Sequence, residues 1–221
     1  MDSLLVSGIY VVLISGLQRS MQNGHDKPIE VLTEKGVAVV RFIRPEIRNP
    51  LSIATLEAIE KAIGIIETDR DVQGIVFTGS GGTFAAGADL REIKSLEPRA
   101  AREFGERGQN LLQKISLLEK PAVAAIDGYC MGGAFDLALA CRFRIASRRS
   151  AFAHPGVSLG IITGWGGTQM LPRLIGLSRA LEIFLTARKV NADDALKFGL
   201  IDRIENNPAA YAVSMLSEMT K

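Results

Sequence analysis

Residues 120–147 read KPAVAAIDGYCMGGAFDLALACRFRIAS, and the fold class follows mainly from this stretch. It contains an apolar strand at 121–127, a glycine-rich turn at 128–133, a helix at 134–141 and a strand at 142–147. The helix has almost no polar side chain, so it must be buried on most of its sides. Strands that alternate with helices around one core predict an α/β fold.

Similar elements lie on both sides of this stretch. A helix begins after Ser52, a common type of N-cap, because apolar residues follow at helical spacing from Leu56 to Ile66. The other predicted elements are a hairpin at 28–33 and 37–43, a strand at 72–78, a helix at 98–118, a strand at 151–153, a glycine-rich turn at 160–167, helices at 168–176 and 178–187, a strand at 200–204 and a helix at 208–219.

The composition is typical of one folded domain. The chain has 221 residues, of which 47% are hydrophobic and 23% charged, with a mean hydropathy of +0.18. Such a chain buries a sizeable core, which excludes a disordered or low-complexity protein. No fixed-period repeat is present, and we divide the chain into an extension of unknown role at 1–27, a core at 28–204 and a C-terminal helical segment at 205–221.

Charge and metal-ligand content argue against two classes of protein. The 26 Lys and Arg residues are scattered and nearly balanced by 24 Asp and Glu, which disfavours a nucleic-acid partner. The two histidines, His25 and His154, and the two cysteines, Cys130 and Cys141, do not have the spacing of a metal site. Both cysteines lie in apolar surroundings, so we expect buried free thiols and a cytoplasmic location.

The apolar run at 4–17 does not resemble a membrane span or a secretory signal. Its 14 residues are fewer than the ~20 that a transmembrane helix needs. Asp2 precedes it in place of a cation, and no typical cleavage site follows. Its β-branched residues favour an added strand, and Met21 is an alternative start.

Two glycine-rich segments fail the patterns of nucleotide-binding loops. Residues 79–84 read GSGGTF and residues 164–169 read GWGGTQ, and both lack the third glycine of G-x-G-x-x-G. The phosphate-binding pattern G-x-x-x-x-G-K-[ST] does not occur either. Nicotinamide-dependent enzymes and kinases are therefore disfavoured.

Two other turns, AAGAD at 85–89 and MGGAFD at 131–136, each follow a strand and begin a helix. Backbone N–H groups at a helix start are unpaired and carry the positive end of the helix dipole. Two such turns that face each other could bind an oxygen on which negative charge develops. The alternative is that the small residues only let the helices pack tightly on the strands.

Three motifs, AAGADLREI at 85–93, the stretch at 120–147 and FAHPGVSLGIITGWGGTQMLPRLIG at 152–176, resemble the crotonase family of enoyl-CoA hydratases and isomerases. The resemblance extends over residues 29–204. It implies a crotonase (ClpP-like) spiral of repeated β-β-α units with a shortened C-terminal helical part, assembled as a homotrimer or hexamer. It also implies an acyl-CoA substrate, of which coenzyme A is a part, and no separate cofactor.

By this resemblance, the backbone amides of Ala88 and Gly133 bind the thioester oxygen. The two catalytic glutamates of family hydratases correspond to Asp136 and Gly156, so the second carboxylate is absent. Asp136 could carry catalysis or cap its own helix. His154, on the same side as Gly156 if the segment is extended, could replace the missing acid or base, or could pack as a core histidine.

The resemblance also implies coenzyme A contacts around the same turns. Ala86 would contact the adenine through its backbone, and Gly132 and Leu90 belong to the same binding set. Asp89 is interpreted as the N-cap of a helix at 90–94 that supports the Ala88 turn. Arg48 would lie near the coenzyme A phosphates, or would be an ordinary solvated arginine.

Trp165, the only tryptophan, could line an acyl pocket or fill the core. The sequence thus predicts an enoyl-CoA hydratase or isomerase. The alternatives are another thioester reaction with one carboxylate, such as isomerisation, decarboxylation or thioester hydrolysis, and a non-catalytic acyl-CoA-binding subunit.

Overall fold

The computed structural model describes residues 27–219, and the predictions for residues 4–17, Met21 and His25 lie outside the described residues. The strands are β1 (Ile29–Glu34), β2 (Val37–Phe42), β3 (Gly74–Thr78), β4 (Thr83–Ala85), β5 (Ala122–Ile126), β6 (Tyr129–Met131), β7 (Phe143–Ala146), β8 (Ala151–Ala153), β9 (Val190–Asn191) and β10 (Arg203–Ile204). The helices are α1 (Ile53–Thr68), α2 (Leu90–Lys94), α3 (Pro98–Ser116), α4 (Gly133–Ala140), α5 (Gly167–Ile175), α6 (Leu177–Thr186), α7 (Ala192–Phe198) and α8 (Pro208–Glu218).

These strands form two sheets. The six-stranded sheet has the order β1-β2-β3-β5-β7-β10, in which β1 and β2 form an antiparallel hairpin and the other neighbours are parallel. The four-stranded sheet has the order β4-β6-β8-β9, and only its β8–β9 pair is antiparallel. The α/β class is therefore confirmed.

The chain moves repeatedly from the large sheet to the small one. Strands β3, β5 and β7 are each followed directly by β4, β6 and β8, and helices complete each unit. The turn at Gly128, between β5 and β6, has a φ of +83°, and a Cβ there would overlap the carbonyl of Gly82. This close approach requires glycine and places successive units side by side, as the predicted spiral of β-β-α units requires.

The core lies on both faces of the six-stranded sheet. On β3, Ile75 and Phe77 point into the main apolar cluster, whereas Val76 points into a second cluster. Helix α8 covers the second cluster with Val213 and Leu216. Because both faces are covered, the central strands have continuous apolar sequences without alternation.

The structure differs from the sequence prediction at five places. Strand β6 lies inside the stretch 128–133 that was predicted as a turn, and β4 and β9 were not predicted. Helix α7 was also missed, although Asn191 caps it and Gly199 ends it. The segment after His154 is not extended, because Pro155–Leu159 forms a 3₁₀ turn. The three missed strands have two or three residues each and exist through pairing with distant strands.

Candidate active site

The two predicted turns come together because β4 and β6 are parallel neighbours. Each strand leads into its turn at its carboxyl end, and in parallel strands these ends lie side by side. Gly87 has a φ of +92°, and a Cβ at this position would lie 2.6 Å from the Met131 carbonyl oxygen and 3.1 Å from the Gly133 nitrogen. Glycine is therefore required, and the two turns are in backbone contact.

The amides of Ala88 and Gly133 are available to bind a ligand. Over residues 27–219, neither N–H donates a hydrogen bond, whereas one nearby amide in each turn is engaged. Ala86 donates to the Arg48 carbonyl at 3.0 Å, and Gly132 donates to the Ala153 carbonyl at 2.9 Å. Gly133 is the first residue of α4, where an amide has no acceptor within the helix.

Both amides line a cleft of about 290 Å³. One side of the cleft is apolar and comes from α2, α3 and the segment between them, with Ile93, Leu96 and Phe104. The lining also includes His154, Gly156 and the 161–165 segment. An apolar cleft with a few free polar groups is the usual form of a small-molecule site.

Asp136 is fully buried behind the Gly133 turn. Its Oδ2 accepts a hydrogen bond from the Thr163 hydroxyl. Burial raises the pKa of the carboxyl to about 7, and the Thr163 hydroxyl and the amides of Trp165 and Gly167 oppose this rise. At neutral pH the group is therefore present in both protonation states, as a proton carrier must be.

Asp136 does not cap its own helix. Gly132 is the N-cap residue of α4, and no side chain binds the free amides there. The carboxyl instead faces the N-terminal end of α5, where a Cβ on Gly167 would overlap Asp136 Oδ1. Asp136 does lie in the first turn of α4, where an acid suits the helix dipole, but it makes no capping hydrogen bond, because its side chain points toward α5.

His154 lies against Asp136. The distance between His154 Nε2 and Asp136 Oδ1 is 3.5 Å, and the imidazole is 3% exposed. Burial lowers the pKa of His154 to about 4, so the ring is neutral at physiological pH. It lines the cleft together with Gly156, although the extended geometry assumed from the sequence is wrong.

The backbone leaves no room for a carboxylate at Gly156. A Cβ there would lie 2.6 Å from the Ile161 carbonyl oxygen, because the segment folds back after the 3₁₀ turn. The Ile161 amide donates to the Gly156 carbonyl at 3.0 Å and holds this arrangement. The loop conformation therefore excludes a second carboxylate at this position, in agreement with the glycine in the sequence.

Trp165 lies at the inner side of the cleft. Its ring is buried and lies 5.3 Å from the Phe104 ring. A Cβ on Gly108 of α3 or on Gly133 would overlap the indole. Trp165 therefore lines the cleft next to Gly133 and also belongs to the core, whereas contact with an acyl group stays a prediction.

The remaining predicted residues line the cleft or lie on segments next to it. Asp89 caps α2 as expected: its carboxylate accepts from the Arg91 amide at 3.0 Å and binds the Arg91 guanidinium. This pairing with Arg91 lowers the pKa of Asp89. Ala86 and Leu90 are exposed at the cleft, and Arg48 is exposed on the neighbouring loop.

Sequence reasoning missed two residues that hold the site together. Asn49 is buried, and its side-chain amide donates to the Thr83 carbonyl at 2.8 Å, which ties the Arg48 loop to β4. Thr163 binds Asp136 from a distant part of the chain. Asn49 has a φ of 50°, a conformation that asparagine adopts more readily than most residues, but Thr163 left no sequence signal.

The pattern of the Enoyl-CoA hydratase/isomerase family matches residues 32–221 of the sequence. The chain belongs to this family. Family membership agrees with the paired turns described above and confirms the resemblance to the crotonase superfamily. The family comprises acyl-CoA enzymes.

Individual relatives agree with this result. The chain is 41% identical over 176 residues to Short-chain-enoyl-CoA hydratase of Clostridium acetobutylicum and 41% identical over 172 residues to Crotonyl-CoA hydratase of Syntrophomonas wolfei. These matches include 79% and 77% of this chain, which spans about two thirds of each relative, 67% and 66%. An enoyl-CoA hydratase structure from Bacillus anthracis has a TM-score of 0.84 and 31% identity, covering 87% of this chain and 76% of that one.

Residues 27–219 contain no helix that is long and apolar enough to cross a membrane. In the same range, no three His, Cys, Asp or Glu side chains lie close enough to hold a metal ion. Cys130 and Cys141 are buried free thiols, as predicted.

Proposed function

We propose that this family member is a short-chain enoyl-CoA hydratase with Ala88, Gly133 and Asp136 as its catalytic groups. The thioester oxygen accepts hydrogen bonds from the Ala88 and Gly133 amides, and Asp136 carries the proton. One observation supports this proposal above all: two free amides line one cleft, and a buried carboxyl with a pKa of about 7 lies directly behind the lining residues Thr163 and His154. Each such amide donor is typically worth about 3 to 4 kcal/mol in the transition state.

The reaction can proceed with a single carboxyl group. Water attacks C3 of the enoyl thioester while ionised Asp136 takes one of its protons. The electrons of the double bond move onto the thioester oxygen, where the two amides stabilise the negative charge. Asp136 then returns the proton to C2, so that one water molecule has been added and the enzyme is restored.

Short acyl chains fit the cleft best. The names of the two relatives above refer to short-chain and crotonyl thioesters. In this chain the Trp165 ring occupies the space between Gly108 and Gly133, next to one of the free amides. A bulky buried ring in this position leaves limited room for an acyl chain beyond the carbonyl.

Location and assembly are part of the same proposal. A cytoplasmic location is supported by the bacterial relatives. Assembly as a homotrimer or a pair of trimers is supported by exposed leucines on one face of α6, at Leu177, Leu181 and Leu185. A monomeric mass in solution by light scattering would contradict the assembly.

Isomerisation of the double bond is the second candidate, and Gly156 favours it. In this reaction one carboxylate removes a proton from C2 of a 3-enoyl thioester and delivers it to C4, so no second acid is needed. The same two amides stabilise the same charge on the thioester oxygen. Asp136 would serve without a partner at Gly156.

Ultraviolet absorbance separates the candidates. Crotonyl-CoA loses its conjugated absorbance on hydration, whereas a 3-enoyl-CoA gains it on isomerisation. We expect loss of absorbance with crotonyl-CoA and at least a 100-fold lower rate for Asp136→Asn, because the amide cannot take a proton. Gain with the 3-enoyl substrate alone would favour isomerisation. Binding of acetyl-CoA by calorimetry without turnover of either substrate would indicate a non-catalytic subunit.

A further inference from the structure

The imidazole of His154 is held in one orientation by its surroundings. It follows β8, and its ring stacks on Phe135 of α4, with the ring centres 4.7 Å apart and the planes at 19°. Phe184 of α6 lies on another side, with its centre 4.9 Å from the imidazole. A buried ring packed against two aromatic side chains cannot turn freely, so the direction of its nitrogens is fixed.

Three buried polar atoms meet in this place without satisfied hydrogen bonds. Among the described residues, Nδ1 and Nε2 of His154 and Oδ1 of Asp136 have no hydrogen-bond partner. A buried polar atom without a partner costs about 1 to 3 kcal/mol, and such atoms are rare in folded proteins. His154 Nε2 and Asp136 Oδ1 are 3.5 Å apart, so closing the gap by about 0.5 Å would give an ordinary hydrogen bond.

We infer that His154, as the neutral tautomer with a proton on Nε2, is a positioning residue that donates a hydrogen bond to Asp136 Oδ1. The inference rests on the proposed role of Asp136 as the proton carrier. Thr163 holds Oδ2, and His154 holds Oδ1. Together with the Trp165 and Gly167 amides, which also lower the pKa of Asp136, these two side-chain donors fix the plane of the carboxyl. A single carboxylate that takes a proton and returns it to one face of the substrate needs such a fixed orientation.

The protonation states around Asp136 are compatible with this arrangement. Because burial lowers the pKa of His154 to about 4, the ring is not an imidazolium near pH 7. Cys130 on β6 also interacts electrostatically with Asp136, but burial raises the pKa of its thiol well above the ordinary value. Neither group contributes a charge near neutral pH. The donated hydrogen bond stabilises the ionised carboxylate and so holds the pKa of Asp136 down.

Nitrogen NMR of the imidazole tests the inference without measuring activity. The chain has two histidines, His25 and His154, so a His25→Gln variant leaves a single ¹⁵N-labelled imidazole. At pH 8 we expect one tautomer, protonated on Nε2, and a shift toward mixed tautomers after Asp136→Ala. A ring protonated on Nδ1, or a mixture in the presence of Asp136, would overturn the inference.

Kinetics test the consequence for Asp136. His154→Leu removes a donor to Asp136, so we expect the midpoint of the kcat/KM pH profile to rise by about one pH unit. At pH 7, kcat/KM should then fall about fivefold, with a smaller loss on the alkaline plateau. His154→Gln keeps an N–H donor and should return the midpoint close to that of the natural protein. Equal losses at every pH in both variants would indicate packing alone and refute the inference.

The two experiments also separate this inference from the proposed function. Absence of turnover by the natural protein would contradict the proposed function, while the tautomer measured by NMR would still decide the role of His154. Circular dichroism and urea unfolding of His154→Leu show whether that variant folds. If it does not fold, the tautomer experiment and His154→Gln decide the question alone.

Discussion

Replacing Asp136 by asparagine should make the protein more stable, by an amount that depends on pH. Asparagine has nearly the same shape but cannot ionise. Burial raises the pKa of Asp136 from an ordinary value of 3.8 to about 7. This difference corresponds to about 4 kcal/mol, at ~1.4 kcal/mol for each pKa unit. Because the side chain is fully buried, solvent screening does not reduce this amount substantially.

The sign follows from where the proton binds more tightly. The folded state holds the Asp136 proton more strongly than the unfolded state, so the stabilising contribution is present below pH 3.8 and is lost as pH rises to about 7. The free energy of unfolding of Asp136→Asn, minus that of the natural protein, should therefore grow by about 4 kcal/mol between pH 4 and pH 8. The contribution of His154 to stability has the opposite pH dependence, because burial lowers its pKa to about 4. Since His154 is present in both proteins, this contribution largely cancels in the difference between them.

Urea unfolding followed by circular dichroism at several pH values between 4 and 8 measures this difference. Asp89→Asn is the matched control, because pairing with Arg91 lowers the pKa of Asp89. The contribution of Asp89 is present above its unfolded pKa and is lost as pH falls, so this variant should be less stable at neutral pH and lose its deficit in acid. A stability difference for Asp136→Asn that stays constant from pH 4 to pH 8 would refute the reasoning.

Three further changes test the cleft and its support. Trp165→Leu should raise kcat/KM for a long-chain relative to a four-carbon enoyl-CoA by about tenfold, because space opens beside the free amides; an unchanged ratio contradicts a role for Trp165 in chain-length selection. Gly156→Glu should lower the free energy of unfolding by about 1 to 3 kcal/mol without faster hydration, because its Cβ would lie 2.6 Å from the Ile161 oxygen; faster hydration would contradict the loop argument. Arg144→Met should lower the free energy of unfolding by about 3 kcal/mol in urea, because the buried guanidinium binds the Cys141 carbonyl at 2.6 Å and the Leu200 carbonyl at 2.8 Å; a loss below 1 kcal/mol would indicate that water replaces these bonds.

The sequence predicted the elements whose caps, turns or apolar spacing involve only neighbouring residues. Helix α1 begins where Ser52 predicted, and the Thr55 amide donates to the Ser52 hydroxyl at 3.2 Å. The β1–β2 hairpin was predicted for the same kind of reason, since its turn lies between adjacent strands. Helix α7 could have been predicted as well, because Asn191 and Gly199 are ordinary capping residues.

The short strands left no comparable signal. Strands β4 and β6 have three residues each, too few for a period of two to be recognised. They form because β4, β6 and β8 lie side by side in the small sheet, each directly following a strand of the large sheet in the chain. Their existence therefore depends on pairs of residues far apart in the chain.

For the cleft, the sequence by itself determined that two glycine-rich turns carry Ala88 and Gly133 and that Asp136 follows one of them. Only the tertiary structure decided that Asp136 turns away from its own helix toward Thr163 and His154, and that the Gly156 loop excludes a second carboxylate. The physical reason is that turn geometry depends on neighbouring residues in the chain. The environment of a buried side chain depends on atoms brought to it by the rest of the fold.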